Sequence, residues 1–470
     1  MASSLQAVDM VSFNSLPIEL QIHVLSYAQT QELKSARLVS RTLRLAASIH
    51  LFSSVLVARR RVVLAVLDSI SQHPEYFKFV KEIRIDGSFY HPYLATVKDT
   101  YQQINREPDF SDHTNFTLRV PLEYRSPDEI PEDLEEAHEQ AYIMYREYYE
   151  EQEALAQTRE DFRIISESLA RLPVVSRVIL LPQRAYLPEE KYFAGIGSIK
   201  LQRHERYYDH IRWHHTDGKM YSRTAGLFWC VMEALHQLHT GTVKHLSIGN
   251  KAPSHYLANA GLDVSHLDYE TMGIANPNVL PFIFRSLTVL ELHLPCLNGS
   301  LTTIVNLFVQ GKLSSLLAGA DKLEVLKLCL SYQSDARRFE TAFSSSTGQP
   351  EPTQTLRWII GPRTWPKLRE LSIMHLDVHD FELADLVRRH SNSLRKVNFS
   401  NVELLSGRWR DLVRNFVKGN HIAMMELIMI YDNTLFPKHQ PHDQNEGYWG
   451  RISCLPDGTR IFEDTATAAL

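Results

Sequence analysis

DFELADLVRRHSNSLRKVNF, residues 380–399, sets a helix pattern directly before a strand pattern. Leu383, Leu386 and Val387 share one helix face at spacings of three and four. Leu394, Val397 and Phe399 then follow as apolar-x-x-apolar-x-apolar. The last two apolar positions alternate as a half-buried strand requires, and the leading one locks the turn that feeds it. The same six-residue pattern occurs at 80–85, 175–180, 243–248, 287–292, 323–328, 368–373 and 424–429. Strand, return helix, strand is a unit that hides its apolar face only by stacking on the next.

The pattern resembles a degenerate leucine-rich repeat. Only the last intervals between copies approach the usual ~20–29 residues, and no asparagine recurs at a fixed offset after the strand. A plain α/β domain with several buried strands shares the same signature and stays open as an alternative. In such a repeat the residue between the last two apolar positions points away from the core. Those residues are Arg84, Ile179, Ser247, Glu291, Lys327, Ser372, Asn398 and Ile428, with His293 two positions beyond Glu291. From this column Glu291, His293, Lys327, Ser372, Asn398 and Ile428 are the candidate target-binding face. An ordinary solvated sheet face is the plainer reading.

Residues 86–172 interrupt the pattern. Within them, 127–173 reads as one long helix, because Leu134, Ala141, Tyr148, Leu155, Phe162 and Leu169 recur every seven residues. Glu151 breaks the second heptad position. The Arg59-Arg60-Arg61 triplet reads as a solvated turn or, less simply, as half of a nuclear signal. His204, His210, His214 and His215 lie in an irregular stretch, 186–224, with no HExxH order, so a surface loop outweighs a metal site. At the far end Pro456-Asp457-Gly458 between alternating segments predicts a hairpin that caps the last repeat, in a C-terminal unit at 436–470.

Upstream, FNSLPIELQIHVLSYAQTQELKSARLVSRTLRLAASIHLFSSVLV, residues 13–57, is helical in pattern and apolar on too many sides. Leu16, Leu20, Val24 and Tyr27 mark one face of the first helix, and Ile18, Ile22 and Leu25 a second. Ser15 is placed to cap it, with Pro17 in its first turn. A surface helix has one apolar stripe, so two stripes imply a larger core or a partner. Leu16-Pro17-x-Glu19-Leu20, Val24-Leu25, Leu33-x-x-Ala36-Arg37-Leu38-Val39-Ser40-Arg41 and Leu51-Phe52 resemble the F-box, in the form fungal members carry ahead of a degenerate repeat region. The resemblance implies a three-helix module that binds the Skp adaptor of a Skp–cullin–F-box ubiquitin ligase. It assigns adaptor binding to Leu16, Pro17, Glu19, Leu20, Ile22, Leu25, Leu33, Val39, Leu51 and Phe52.

The expected fold class is therefore α/β. A three-helix F-box at 13–57 precedes an irregular leucine-rich-repeat-like αβ solenoid at 58–435 with a long helical insertion. The formal net charge of −5 argues against a nucleic-acid partner. No apolar run is long enough to span a membrane, and the first twelve residues lack the pattern of a secretory signal. Four scattered cysteines form no CxxC pair, which fits a reduced compartment, cytoplasm or nucleus. No P-loop, GxSxG or HExxH occurs, so the chain is expected to hold no cofactor or metal and to catalyse nothing. Its expected role is a substrate receptor, linking a target protein to the adaptor and through it to a cullin. The alternative is a scaffold not dedicated to degradation.

Overall fold

The computed structural model describes residues 13–87, 92–98, 132–181, 221–239, 241–249, 264–270, 272–296, 311–332, 355–419, 422–432, 448–454 and 460–464, with Tyr90 and Leu262. The four histidines of the 186–224 stretch and the 455–459 turn lie outside these residues.

Three helices open the chain: α1 (Ile18–Leu25), α2 (Thr30–Ala36) and α3 (Arg41–Leu51). Pro17 itself is the N-cap of α1, and its carbonyl accepts from the Leu20 and Gln21 amides. Ser15 is therefore not the cap: it lies in a preceding 3₁₀ turn. Ser40 caps α3 by accepting the Leu43 amide at 3.2 Å. Leu25, Leu33, Leu43, Ala46 and Ala47 form a small core, and His50 Nε2 bonds the Ile22 carbonyl at 2.7 Å to tie α3 to α1.

Strand β1 (Ser54–Ala58) follows at once and starts a sheet of eleven strands in strict chain order. The others are β2 (Glu82–Asp86), β3 (Arg177–Leu181), β4 (His245–Ile248), β5 (Val289–Cys296), β6 (Val325–Tyr332), β7 (Glu370–His379), β8 (Lys396–Ser406), β9 (Met424–Asp432), β10 (Tyr448–Cys454) and β11 (Arg460–Asp464). Strands β1 to β9 are parallel to their neighbours. Strands β10 and β11 turn antiparallel and occupy the edge beyond β9. The sheet is open.

One hydrogen-bond device recurs at every parallel step. The Ser53 carbonyl accepts both the Lys81 and Glu82 amides. The carbonyls of Lys81, Ser176, Lys244, Thr288, Glu324, Arg369 and Arg395 each accept two amides of the next strand in the same way. The residue before each of these turns is a buried apolar one: Val80, Val175, Val243, Leu287, Leu323, Leu368, Leu394 and Ile422. The leading apolar position of the sequence pattern is thus the plug beneath a continuous spine.

Helices form a second row, also in chain order. They are α4 (Arg61–Gln72), α7 (Glu160–Ala170), α8 (Tyr221–Gln237), α9 (Val279–Phe284), α10 (Lys312–Ala318), α11 (Thr355–Ile360), α12 (Asp380–Arg389) and α13 (Trp409–Gly419), each packed on the next. Two more, α5 (Pro92–Thr96) and α6 (Glu132–Thr158), lie in the insertion. One apolar core runs from Val55 to Leu427 between the two rows. Burying each such Leu, Ile or Val contributes about 1.5–3 kcal/mol, and no helix or strand here could bury its face without its neighbours.

Two expectations change. The long helix of the insertion is broken: Arg159 adopts φ 53°, ψ 25°, and separates α6 from α7. A left-handed residue cannot continue a helix, and the break lets α7 serve as the return helix between α4 and α8. The arginine triplet is also not a solvated turn. Arg59 Nε meets Asp161 at 2.7 Å, Arg60 Nε meets Glu151 at 3.2 Å with its guanidinium 3.5 Å over Tyr148, and Arg61 meets Glu160 at 3.2 Å. Glu151, which spoils the heptad, also accepts the Arg61 amide at 2.6 Å. The triplet clamps the insertion helices to the start of the sheet.

Candidate functional site

The N-terminal module presents a set of exposed apolar side chains. Leu20 and Val24 on α1 are each 49% exposed, and Tyr27 in the turn that follows it is 78% exposed, with the His23 ring edge-on at 5.4 Å. Leu38 (88%) and Val39 (65%) project from the turn between α2 and α3. The second stripe of α1 faces inward: Leu25 is buried, and Ile18 and Ile22 pack on the small core. The two stripes are thus divided, one for the module and one left outside.

The residues assigned to adaptor binding separate accordingly. Pro17, Glu19, Leu20 and Val39 are exposed, and Leu16 is half-buried. Leu25 and Leu33 are buried inside the module's own core, with Ile22 and Leu51 packed against it. Phe52 faces the body: its ring stacks on Tyr76 at 4.0 Å, under the Arg37 guanidinium at 5.0 Å. Arg37 Nη2 donates to the Tyr76 hydroxyl at 2.7 Å, and His73 stacks on the far side of Tyr76. These contacts fix the module to the sheet. The assignment omitted Val24, Tyr27 and Leu38, although Val24 and Tyr27 carry the same helical spacing as Leu20.

The sheet face opposite the helices is the second candidate. Register aligns Leu56, Arg84, Ile179, Ser247, Glu291, Lys327, Ser372, Asn398 and Glu426 across β1 to β9. Glu426 occupies the place in this row expected of Ile428. Ile422, not Met424, is the leading apolar residue of the last copy, so the register moves by two, and Ile428 pairs with Ser400 in the next row. His293 lies in that next row too, buried and opposite Cys329.

The charges on this face hold one another. Glu82 meets Arg84 at 3.0 Å and Arg177 at 3.3 Å. Glu291 accepts from Lys327 at 2.7 Å and from Ser247 Oγ at 3.0 Å, with His245 Nε2 at 3.8 Å. His245, Lys327 and Ser247 together hold the Glu291 carboxyl well below the usual carboxylate range. Glu370 lies between Lys327 at 3.9 Å and Lys396 at 3.6 Å. Next to this ladder Ser372 and Asn398, paired in register, are 1% and 4% exposed. Ser372 Oγ and Asn398 Oδ1 nonetheless have no hydrogen-bond partner, which is uncommon for buried polar atoms.

Among the described residues no group of three His, Cys, Asp or Glu side chains is placed to hold a metal ion, and no helix is long and apolar enough to cross a membrane. Cys230 is partly buried against the core, and desolvation pushes its thiol up to about 11.

Residues 13–57 match the family described as F-box-like. The chain therefore carries an F-box-like domain over these residues. The match ends inside β1, so the domain and the sheet share a strand. No match to a curated protein is found.

Proposed function

We propose that this chain is the target-recruiting subunit of a Skp–cullin–F-box ubiquitin ligase. The observation that carries the reading is the outward stripe of α1. Leu20, Val24 and Tyr27 repeat at helical spacing, lie on a domain of F-box-like type and are exposed. The Skp adaptor covers this stripe together with Leu38 and Val39. In this reading the chain performs no catalysis; it raises the effective concentration of a target near subunits that do. The chain-ordered parallel sheet is read as a degenerate leucine-rich-repeat solenoid. Its outer face, around Ser372 Oγ and Asn398 Oδ1, which have no hydrogen-bond partner, receives the target protein.

The test is co-purification with the Skp adaptor. Leu20→Glu with Val24→Glu places two charges where the interface would be dry. Adaptor capture should fall by at least about tenfold, since one such side chain lost from an interface core costs on the order of 2 kcal/mol. The thermal transition should stay in place, because both residues lie outside the core. Undiminished capture defeats the adaptor reading. Turnover separates receptor from scaffold: a captured target should accumulate when residues 13–57 are deleted, and a target with unchanged lifetime points to a scaffold.

A further inference from the structure

Parallel strands start along one edge of their sheet, and in this chain that edge is basic. The spine carbonyls mark it. Lys81, Lys244, Arg369 and Arg395 are themselves spine residues, and Lys322 and Lys367 lie two positions before spine residues. All six are exposed, and among the described residues none is in an ion pair. Lys244 Nζ and the Arg395 guanidinium reach only backbone carbonyls. Glu324 is the one acidic residue among the spine positions, and nearby Asp321 is taken by Arg363.

This segregation stands out in a chain whose formal net charge is −5. It also differs from the sheet face, where Arg84, Arg177, Lys327 and Lys396 lie beside Glu82, Glu291 and Glu370. Helix carboxyl ends point to the same edge, and their dipoles favour cations. That effect fades within the last turn, which here holds His236, Arg388 and Arg389. The six cations lie beyond it, at or just before the strand starts.

We propose that this edge is a docking surface for an acidic, extended segment of a partner protein, rich in Asp and Glu. Adjacent strands are about 4.8 Å apart, so the line from Lys81, just before β2, to Arg395, just before β8, runs for roughly 29 Å. An extended acidic segment laid along it meets a cation at most steps. Protein is favoured over nucleic acid on two grounds. The cations form a single file on a chain with a pI near 6.5, whereas a nucleic-acid-binding domain is basic overall. The F-box enters the sheet from this same edge, because α3 ends at Leu51 and β1 starts at Ser54. The edge is therefore continuous with a module already shaped for protein docking. The proposal does not depend on the adaptor reading.

The experiment uses the full chain and a fluorescent oligoglutamate peptide, with single-stranded oligothymidylate as the second probe. Lys81, Lys244, Lys367, Arg369 and Arg395 are changed together to Glu, and in a second protein to Gln. The unaltered chain should bind oligoglutamate in a manner that added salt reverses. Both altered chains should bind it at least about tenfold more weakly. Leu20→Glu should leave this binding unchanged, which separates the edge from the adaptor site. The Gln protein, with no introduced like-charge repulsion, guards against a Glu protein that fails to fold. Equal binding by the Gln protein, no binding by the unaltered chain, or tighter binding of oligothymidylate than of oligoglutamate each overturns the proposal.

Discussion

At His390 the two ring nitrogens do opposite work. Nδ1 donates to the Leu386 carbonyl at 2.7 Å, and Nε2 accepts the Trp365 amide at 3.0 Å. Only a neutral ring with its proton on Nδ1 satisfies both, and a second proton would point at an N–H. Burial also lowers the affinity of His390 for that proton below its ordinary pKa of 6.5. The unfolded chain then binds more protons than the folded one just below pH 6.5, so stability rises with pH through that window and is complete above it. Thermal unfolding followed against pH should show this slope, and His390→Gln should flatten it. Glu291 acts further into acid. Its depressed carboxyl contributes stability above the ordinary value of 4.5, and that contribution is lost as pH falls toward the depressed value. The His390 variant should leave this lower limb intact. Gly407 is a third sensitive residue: at φ 74°, an added Cβ would overlap the Asp380 carboxylate. Gly407→Ala should cost about 1–3 kcal/mol in denaturant unfolding, with no effect on the proposed adaptor capture.

Among the elements, the strands show why a six-residue pattern understated their length. β7 and β8 continue past the second alternating residue through His375 and Asn401, both left-handed at φ 53° and 54°. Each inserts one residue out of phase, so Leu376 and Val378, and Val402 and Leu404, return to the core. Asn401 Nδ2 donates to His375 Nδ1 at 2.6 Å and joins the two kinks. Period-two reasoning stops at such a bulge, because the phase change needs a backbone conformation that side-chain type alone does not announce. Helix ends were similarly hidden. Glu382 caps its own helix α12 through the His379 amide at 3.1 Å and also receives the Leu356 amide of α11 at 2.8 Å. Burial raises its pKa despite those bonds. The clamp on α6 belongs to this scale as well. Glu151→Ala would leave the buried Arg60 guanidinium without its carboxylate, and breaking a buried pair typically costs about 3–5 kcal/mol. Unfolding in denaturant should show a loss of that order, and proteolysis should reach α6 before the sheet.

For the molecule as a whole, chain-ordered stacking means that each unit is held mainly by its neighbours. β10 and β11 cover the last parallel strand, with Ile452 opposite Phe462 and β10 antiparallel to β9. Ending the chain after Asp432 would bare the row of unpaired amides and carbonyls along β9, a template for intermolecular pairing. Light scattering should then show concentration-dependent association, while the proposed capture of the Skp adaptor by the module at the far end of the stack should be unchanged. The sequence by itself determined the recurrence of the strands and the presence of the F-box-like segment. Both rest on local spacing: apolar residues at fixed offsets dictate period, and period dictates element type. It also marked the apolar plug of each unit, apart from the last, where Met424 shares the character of Ile422. Only the tertiary structure decided which stripe of α1 stays outside, since Leu20 and Leu25 are equally apolar and differ in what lies across from them. It also decided that the arginine triplet is a clamp and that the cations of well-separated turns share an edge. Those facts depend on residues far apart in the chain, brought together by parallel stacking, and no local period encodes that meeting.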